Sequence, residues 1–580
     1  MKTMIIASPT KLFLDLNASD TTDIHRAGMT GLWISLKQLE QKYPTPSQRP
    51  GDLSWDLTAT TITLDWQRAL KDTTSHKARK TVAGVPPVEV VEQEASSLGQ
   101  GQDLPVLDWL LKQSFQISKK GLIEFVGLKS LSSIEQIHNH QAIHDTFLRH
   151  NKFYKKETVR TETLTVEAGS IKLKYRGLSW YVHQTFAETL CNEEGYLIDG
   201  CIPIVSWLYP GATVRHAKLQ AVTKIEEKTE YAFALLFLPL VCRYFTLISN
   251  STKRDTKQAA RYAIVIPDVR DFKTAANRYW QVKCDREYQN CFVTNLAEAA
   301  LKYYSSSDKQ LTSPQNCQVL LYEKLNKKSR QRTIFEIEDF IITPQAVEDY
   351  QFASENFISN KVFINDKNFI VKVNSIRAII ADNLARGSPW WWDLWEKLYQ
   401  TDPFESEELD KQLVFNRRGL IAMLEQDTKL QIYQDFIRAF HEALRKIYAK
   451  TYDPKRSKAE NNQRIDKKYQ SIRSELNRCY DQESLEYFLA DFLSRAGLNS
   501  SLYDRWEQIL PLIVSQTNWK KTRNLSLLAL ASYKPRSFSL REIAIGFWKM
   551  LLMVNYQAAI LFLLKDPILE IIPATQSETV

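Results

Sequence analysis

Near residue 376 the spacing of apolar residues changes, and this change constrains the fold more than any other feature of the 580-residue chain. Before it, segments that alternate like strands are interspersed with helical segments. After it, helical periodicity dominates to about residue 566. Two packing regimes follow from two periodicities. The expected fold class is therefore α+β: a mixed α/β N-terminal body over residues 1–376, followed by an α-helical bundle over residues 377–580.

In the first part, Ile24, Ala27, Leu32, Leu36, Leu39 and Tyr43 recur at helical spacing. Thr22 is placed to cap that helix, and Pro44, Pro46 and Pro50 end it. Residues 53–66 read as strand, with Ile62, Leu64 and Trp66 alternating, and the polar stretch 71–103 reads as a linker or long surface loop. Helical patterns cover 107–115 and 131–148. Residues 158–175 read as a hairpin around Ala168 and Gly169, and 231–247 as a buried apolar run. Residues 262–267 predict a central strand. Two further strands, 318–325 and 332–337, are joined by 326–331, and the pair 362–364 and 369–373 closes the body. Helices are expected over 376–385, 420–424, 432–448, 485–493 and 525–533.

Composition excludes several functions. Glycine is scarce, 17 of 580 residues, and no GxxxxGK[ST] run occurs, so a phosphate-cradling nucleotide hydrolase is not expected. The seven cysteines include no CxxC pair, which argues against a structural zinc site and fits reduced thiols in a cytoplasmic protein. The first ten residues are too short and too weakly apolar for a secretory signal. Residues 543–564 are strongly apolar but hold Lys549, Asn555 and Gln557, which lipid disfavours. A buried helix and no membrane contact are expected there. No cofactor is implied.

The net charge of +9 permits nucleic-acid binding where the basic residues cluster. One cluster places Lys327, Lys328, Arg330 and Arg332 at a predicted hairpin tip. A second is the loop of Asn250, Lys253, Arg254 and Lys257. The third holds Arg445, Lys446, Lys450, Lys455, Arg456, Lys458, Arg464, Lys467, Lys468 and Arg473 against three acidic residues, across a helix end, a polar loop and the next helix. Each is also readable as an ordinary solvated face. Trp390, Trp391, Trp392 and Trp395 follow Gly387, Ser388 and Pro389 and are expected to pack at the junction. An alternative, enzymatic reading comes from the dipeptide His144-Asp145, with His138 and His140 upstream, as a metal-dependent HD-type hydrolase. The plainer expectation is a surface helix carrying polar histidines. A purely protein-binding scaffold is the other alternative.

Ordered segments along nearly the whole chain resemble one family. They include Ile24-His-Arg-Ala-Gly-Met-Thr-Gly-Leu32, Ile62-Thr-Leu-Asp-Trp66, Pro210-Gly-Ala-Thr-Val-Arg-His216 and Ile264-Val-Ile-Pro-Asp-Val269. The likeness is closest in Ile376-Arg-Ala-Ile-Ile-Ala-Asp-Asn-Leu-Ala385, Arg418-Gly-Leu420, Trp519-Lys-Lys-Thr-Arg-Asn-Leu525 and Leu528-Ala-Leu-Ala-Ser-Tyr533. On these the chain resembles the large subunit of the type I CRISPR Cascade, the Cas-eight group in its Myxan variety. The resemblance implies a non-enzymatic subunit at the foot of a guide-RNA complex, touching backbone subunits and the subunit that caps the guide 5′ end. Such subunits recognise the protospacer-adjacent motif in double-stranded target DNA and support R-loop formation. A helicase-nuclease, or transposition proteins, would act downstream. In that frame the two loop clusters are candidates for motif and duplex contact, and the Arg445–Arg473 cluster for the target or displaced strand. Related systems also make the C-terminal part separately as a small subunit. Met423, the only methionine between Met29 and Met550, is the expected start of such a product.

Overall fold

The computed structural model describes residues 11–66, 106–533 and 569–572, apart from 128–131, 149–152, 167–168, 193–196, 205–225, 249–260, 282–287, 307–310, 328–329, 359, 366–367, 373, 400–415, 428–430, 497–505 and 515–518. The candidate linker at 71–103 and the apolar stretch at 543–564 therefore lie outside the described residues.

The chain opens with β1 (Lys11–Asp15) and α1 (Asp23–Lys42), then the hairpin β2 (Ser54–Leu57) and β3 (Thr61–Asp65), which forms an antiparallel sheet of order β1-β3-β2. Thr22 stands at the N-cap of α1, as its position predicts. Next come α2 (Val106–Ser114), the small pair β4 (Phe115–Ile117) and β5 (Ile123–Phe125), and α3 (Ser133–Thr146). A long hairpin follows, β6 (Tyr154–Val166) and β7 (Gly169–Tyr181), turning at the expected place. After α4 (Ala187–Leu190), β8 (Cys201–Pro203) and β9 (Glu226–Lys228), the apolar run becomes α5 (Thr229–Leu235), α6 (Leu238–Val241) and β10 (Arg243–Leu247).

The element that organises the molecule is a five-stranded sheet of order β12-β10-β11-β13-β14. It contains β11 (Arg261–Pro267), β12 (Phe292–Val293), β13 (Gln315–Lys327) and β14 (Arg330–Ile342), with α7 (Phe272–Gln281) and α8 (Leu296–Ser305) between them in sequence. β11 is its middle strand and is buried on both faces, as its unbroken apolar run requires. Alternation then sends its side chains to two cores. Tyr262, Ile264 and Ile266, with Leu320 and Tyr322 of β13, face the core built on α1, α2, α5 and α6. Ala263 and Val265, with Val319 and Leu321, face the core that continues through α8 into the C-terminal helices.

That second core runs without interruption past residue 376. It takes in α9 (Pro344–Asn356), α10 (Ser375–Ala385), α11 (Leu394–Tyr399), α12 (Arg417–Gln426) and α13 (Gln431–Thr451). The hairpin β15 (Asn360–Asn365) and β16 (Asn368–Lys372) separates α9 from α10. Beyond α13 come α14 (Lys458–Asn477), α15 (Gln482–Ala496), α16 (Trp506–Val514) and α17 (Trp519–Ser532). Every residue from Thr522 to Ser532 is buried, so α17 is the axis around which α11 to α16 pack. Its buried polar side chains are bonded inside the bundle, Thr522 to the Leu512 carbonyl and Asn524 to Asp393. A final strand, β17 (Leu569–Ile572), returns to pair with Ser170–Leu173 of β7.

The pairing of α1 with α5 and α6 depends on small residues. A Cβ at Gly28 would lie 2.6 Å from the Ala234 carbonyl oxygen, and one at Gly31 would lie 2.2 Å from that of Phe237. The glycines let helical backbones touch. Among the described residues no helix is long and apolar enough to cross a membrane.

Candidate nucleic-acid interface

The predicted finger exists as backbone and is longer than the sequence spacing suggests. β13 and β14 stay in register to the pair Lys327–Arg330, with Leu325 opposite Arg332 two steps earlier. Lys327 and Arg330 thus flank the tip, while Lys328 lies outside the described residues, as do Asn250, Lys253, Arg254 and Lys257.

The third cluster is described throughout. Its loop is tied down at both ends. The Asn461 side-chain amide donates to the Asp453 carbonyl at 2.8 Å, and its oxygen accepts the Asp453 N–H at 2.8 Å. Ser457 and Glu460 form a reciprocal capping box at the start of α14. Between these anchors Lys455 and Arg456 are held exposed. Asp453 sits below the usual carboxylate range because it accepts the Lys455 backbone N–H and the Arg456 side chain.

Acidic neighbours neutralise part of the cluster. Glu442 pairs with Lys446 at 3.3 Å and with Arg445 at 3.9 Å. Asp453 pairs with Arg456 at 3.2 Å and with Arg464 at 3.7 Å. Lys450 donates to the Arg495 carbonyl at 2.8 Å, and Lys458 stands at the first position of α14. Lys455, Lys467 and Lys468 have no carboxylate partner among the described residues. Arg464, Lys467 and Lys468 share one flank of α14 at i, i+3 and i+4, beside the buried line of Asn461, Ile465 and Ile472. Arg473 falls on the other flank. The geometry therefore narrows ten basic residues to a smaller set whose charge is available to phosphates.

A further basic stripe escaped the reading of the sequence. Lys172, Lys174 and Arg176 alternate along β7 with Leu173 and Tyr175, which are buried. Period-two geometry puts the three cations together on the outer face of the hairpin. The alternation itself was the available signal.

His138 and His140 are in the core and His144 is half-buried, which corrects the expectation of a polar surface helix. His140 accepts the Ile123 N–H at 3.2 Å and donates to the Arg176 carbonyl at 2.8 Å. Burial lowers its pKa to about 4. His138 bonds the Thr246 hydroxyl at 3.0 Å, and burial lowers its pKa to about 3. His144 lies 3.1 Å from Asp145, whose other oxygen accepts from Tyr262 at 2.9 Å. These bonds occupy both ring nitrogens of His140 and the Nε2 of His138, and leave the buried Nε2 of His144 without a partner among the described residues. Among the described residues no group of three or more His, Cys, Asp or Glu is placed to hold a metal.

The segments that carry the resemblance are mostly structural. Arg377 and Glu298 form a buried ion pair at 2.8 Å joining α10 to α8, and the Asn383 side chain donates to the carbonyls of Trp390 and Trp392. Trp390 and Trp391 are buried, so packing is their role, and the Trp390 indole N–H donates to Asp427 at 3.0 Å. Arg523 ties α17 to Glu396 of α11 and to the Leu476 carbonyl of α14.

The chain is similar to known proteins in both its N-terminal and its C-terminal part. A family model described as the DevT N-terminal domain matches residues 13–77 and 69–236, and one described as the DevT C-terminal domain matches residues 425–545. Together they reach more than half of the chain. A CRISPR-associated protein Cas8a1/Csx13 of Myxococcus xanthus is 25% identical over 488 residues, covering 79% of this chain and 82% of that protein. With the DevT models matching both parts and a Cas8-type relative aligned along most of its length, the chain belongs to the DevT family of Cas8-type large subunits of type I CRISPR surveillance complexes.

Proposed function

We propose that this subunit gives a guide-RNA complex its recognition of the protospacer-adjacent motif in duplex DNA, and that it supports opening of the R-loop. The observation that carries the reading is the likeness to Cas8a1/Csx13 over most of both chains. The uncompensated lysines of the α13–α14 hairpin support it, because phosphate contacts need cations that internal carboxylates do not already neutralise.

In this reading residues 1–376 dock on the backbone subunits and on the subunit capping the guide 5′ end, and present the finger to the flanking motif. The candidates there are Lys327, Lys328, Arg330 and Arg332, with the loop of Asn250, Lys253, Arg254 and Lys257. Residues 377–580 track the target or displaced strand with the set led by Lys455, Lys467 and Lys468. The chain performs no chemistry itself. A helicase-nuclease, or transposition proteins, acts after it in the cytoplasm. Small-subunit copies starting at Met423 would continue the same helical surface. The match of the C-terminal family model from residue 425 supports that division.

A scaffold role is compatible with one feature. β14 is an edge strand of the central sheet and leaves Ile337 49% and Ile341 65% exposed, which suits a neighbouring subunit. The two readings separate in one assay. Permanganate reactivity of the displaced strand is measured for the complex with and without this chain. Opening that requires the chain supports the DNA-handling role, and equal opening without it leaves only the scaffold.

A further inference from the structure

The outer face of the β6–β7 hairpin is cationic and hydroxyl-bearing, and register fixes its members. Val159 lies opposite Arg176, Thr161 opposite Lys174 and Thr163 opposite Lys172. Partners in an antiparallel pair share a face, so these six side chains stand on one side of the ribbon, away from buried Leu173 and Tyr175. Arg176, Thr161 and Thr163 are exposed, and Lys174 is half-buried. None of the six is acidic. The carboxylates of β6 belong to the other side. Glu162 stands opposite Leu173 and pairs with Lys120 at 2.5 Å. Glu157 pairs at 2.6 Å with Arg160, which stands opposite Tyr175.

The backbone under the row is held in place. β17 covers the edge of β7 only from Ser170 to Leu173. Beyond that point side chains of α3 take its carbonyls: Gln141 donates to that of Lys174 at 2.9 Å and His140 to that of Arg176 at 2.8 Å. Lys172 stands opposite Glu570 of β17 in the register. The charges free to meet a ligand are therefore those of Lys174 and Arg176, which have no ion-pair partner among the described residues. Alternate residues of a strand lie about 6.6 Å apart, so the two cations can hold separate anions. Arg, Lys and Thr side chains are common donors to phosphate oxygens. A free two-stranded ribbon fits the major groove of DNA, but this one is packed on α3, with Tyr175 against His140, and offers a single face. That face carries no aromatic ring, so it gives the bases of a single strand no platform. What it suits is the phosphate-bearing outside of a duplex.

We infer that this face is a phosphate-contact site for duplex DNA, with Lys174 and Arg176 on backbone phosphates and the Thr161 and Thr163 hydroxyls donating to neighbouring phosphate oxygens. It positions the duplex and reads no bases. The inference deepens the proposed function and rests on it for the identity of the duplex. It adds a contact surface distinct from the finger and from the α13–α14 hairpin.

The test follows a short labelled DNA duplex, and one of its strands alone, by fluorescence anisotropy with the full chain, from about 50 to about 200 mM salt. Two variants change the face and leave the backbone anchors in place. Lys174→Gln with Arg176→Gln removes the cations, and Thr161→Glu adds a carboxylate at an exposed position. With the double variant, duplex affinity at the lowest salt is expected to fall about tenfold or more. The slope of log affinity against log salt should fall by about two, at ~0.9 per phosphate contact. Thr161→Glu should weaken the duplex as well. Melting temperature checks that each variant is folded, and if the double variant unfolds, Thr161→Glu carries the test. Absence of duplex binding by the unaltered chain, or unchanged affinity and slope in the folded variants, overturns the inference. So does a loss as large on the single strand as on the duplex. Flank preference of the guide-RNA complex should persist in both variants, because backbone contact is blind to sequence. A complex that shows no flank preference with the unaltered chain sinks the proposed function alone. A preserved preference with an unchanged salt slope sinks this site alone.

Discussion

Replacing Arg377 with methionine leaves a carboxylate stranded in the core. Glu298 is fully buried, and Arg377 pairs with it at 2.8 Å. The remaining donors, two from Thr294 and one from Tyr350, are neutral. Removing one member of a buried pair costs about 3–5 kcal/mol. Those three surviving hydrogen bonds place this case near ~3 kcal/mol, even though the Phe357 carbonyl also loses its Arg377 donor. At about 0.8 °C per kcal/mol for a chain of 580 residues, the melting temperature should fall by roughly 2–3 °C at pH 7. The pH dependence has a definite sign. In the unaltered chain the Glu298 pKa lies below its ordinary 4.5, so its contribution is full above that pH and is lost as pH falls through the folded value. In Arg377→Met, burial acts unopposed by Arg377 and the pKa rises. Protonation then relieves the penalty on acidification, and the deficit should shrink between pH 7 and pH 5. Urea unfolding followed by circular dichroism at both pH values measures it. Arg386→Met serves as control, because its pair with Asp382 is half exposed and should cost about 0–1 kcal/mol. A deficit for Arg377→Met under ~1 kcal/mol, or one that grows at pH 5, would refute the argument.

Gly31→Ala should destabilise by about 1–3 kcal/mol or more, because its Cβ would meet the Phe237 carbonyl oxygen at 2.2 Å; an unchanged urea midpoint would contradict the close helix contact. His140→Ala leaves the Ile123 N–H and the Arg176 carbonyl without their partner and should cost about 2 kcal/mol or more by the same assay, while metal content, read by atomic emission, stays at background. Lys467→Gln with Lys468→Gln should lower the salt slope of duplex binding by about two, at ~0.9 per phosphate contact; an unchanged slope would remove these lysines from the interface. Met423→Leu keeps the volume of a buried side chain and should abolish any C-terminal product beginning there; intact-mass analysis of the native expression product reads it, and a fragment that persists unaltered would place the start elsewhere.

Local elements were legible because their signals are local. Thr22 and the proline-rich end bound α1, and the apolar run at 261–267 marks a strand covered on both faces. The pairs Val166–Gly169 and Lys327–Arg330 close both long hairpins where the sequence puts them, although β13 and β14 each run to 13 residues, past the apolar segments that announced them. Long-range packing was not legible. Nothing local says that Tyr262 and Ala263 serve different cores, because that depends on which helices arrive on each side of the sheet. His138 and His140 look like surface residues until Thr246, Ile123 and Arg176 supply partners from distant positions. For the basic clusters, sequence shows charge but not its compensation. Asp453 and Glu442 decide which cations remain available, and the fold brings them into place.

The central claim is that this chain makes target binding depend on the flanking sequence. The most direct measurement is duplex binding by the reconstituted guide-RNA complex, with and without the chain, across a library of randomised flanks beside a fixed target. The account predicts that adding the chain creates a strong preference for one short flanking motif, and that the preference weakens when Arg330 and Arg332 are replaced by glutamine. Binding that is equally tight, and equally indifferent to the flank, without the chain would contradict it.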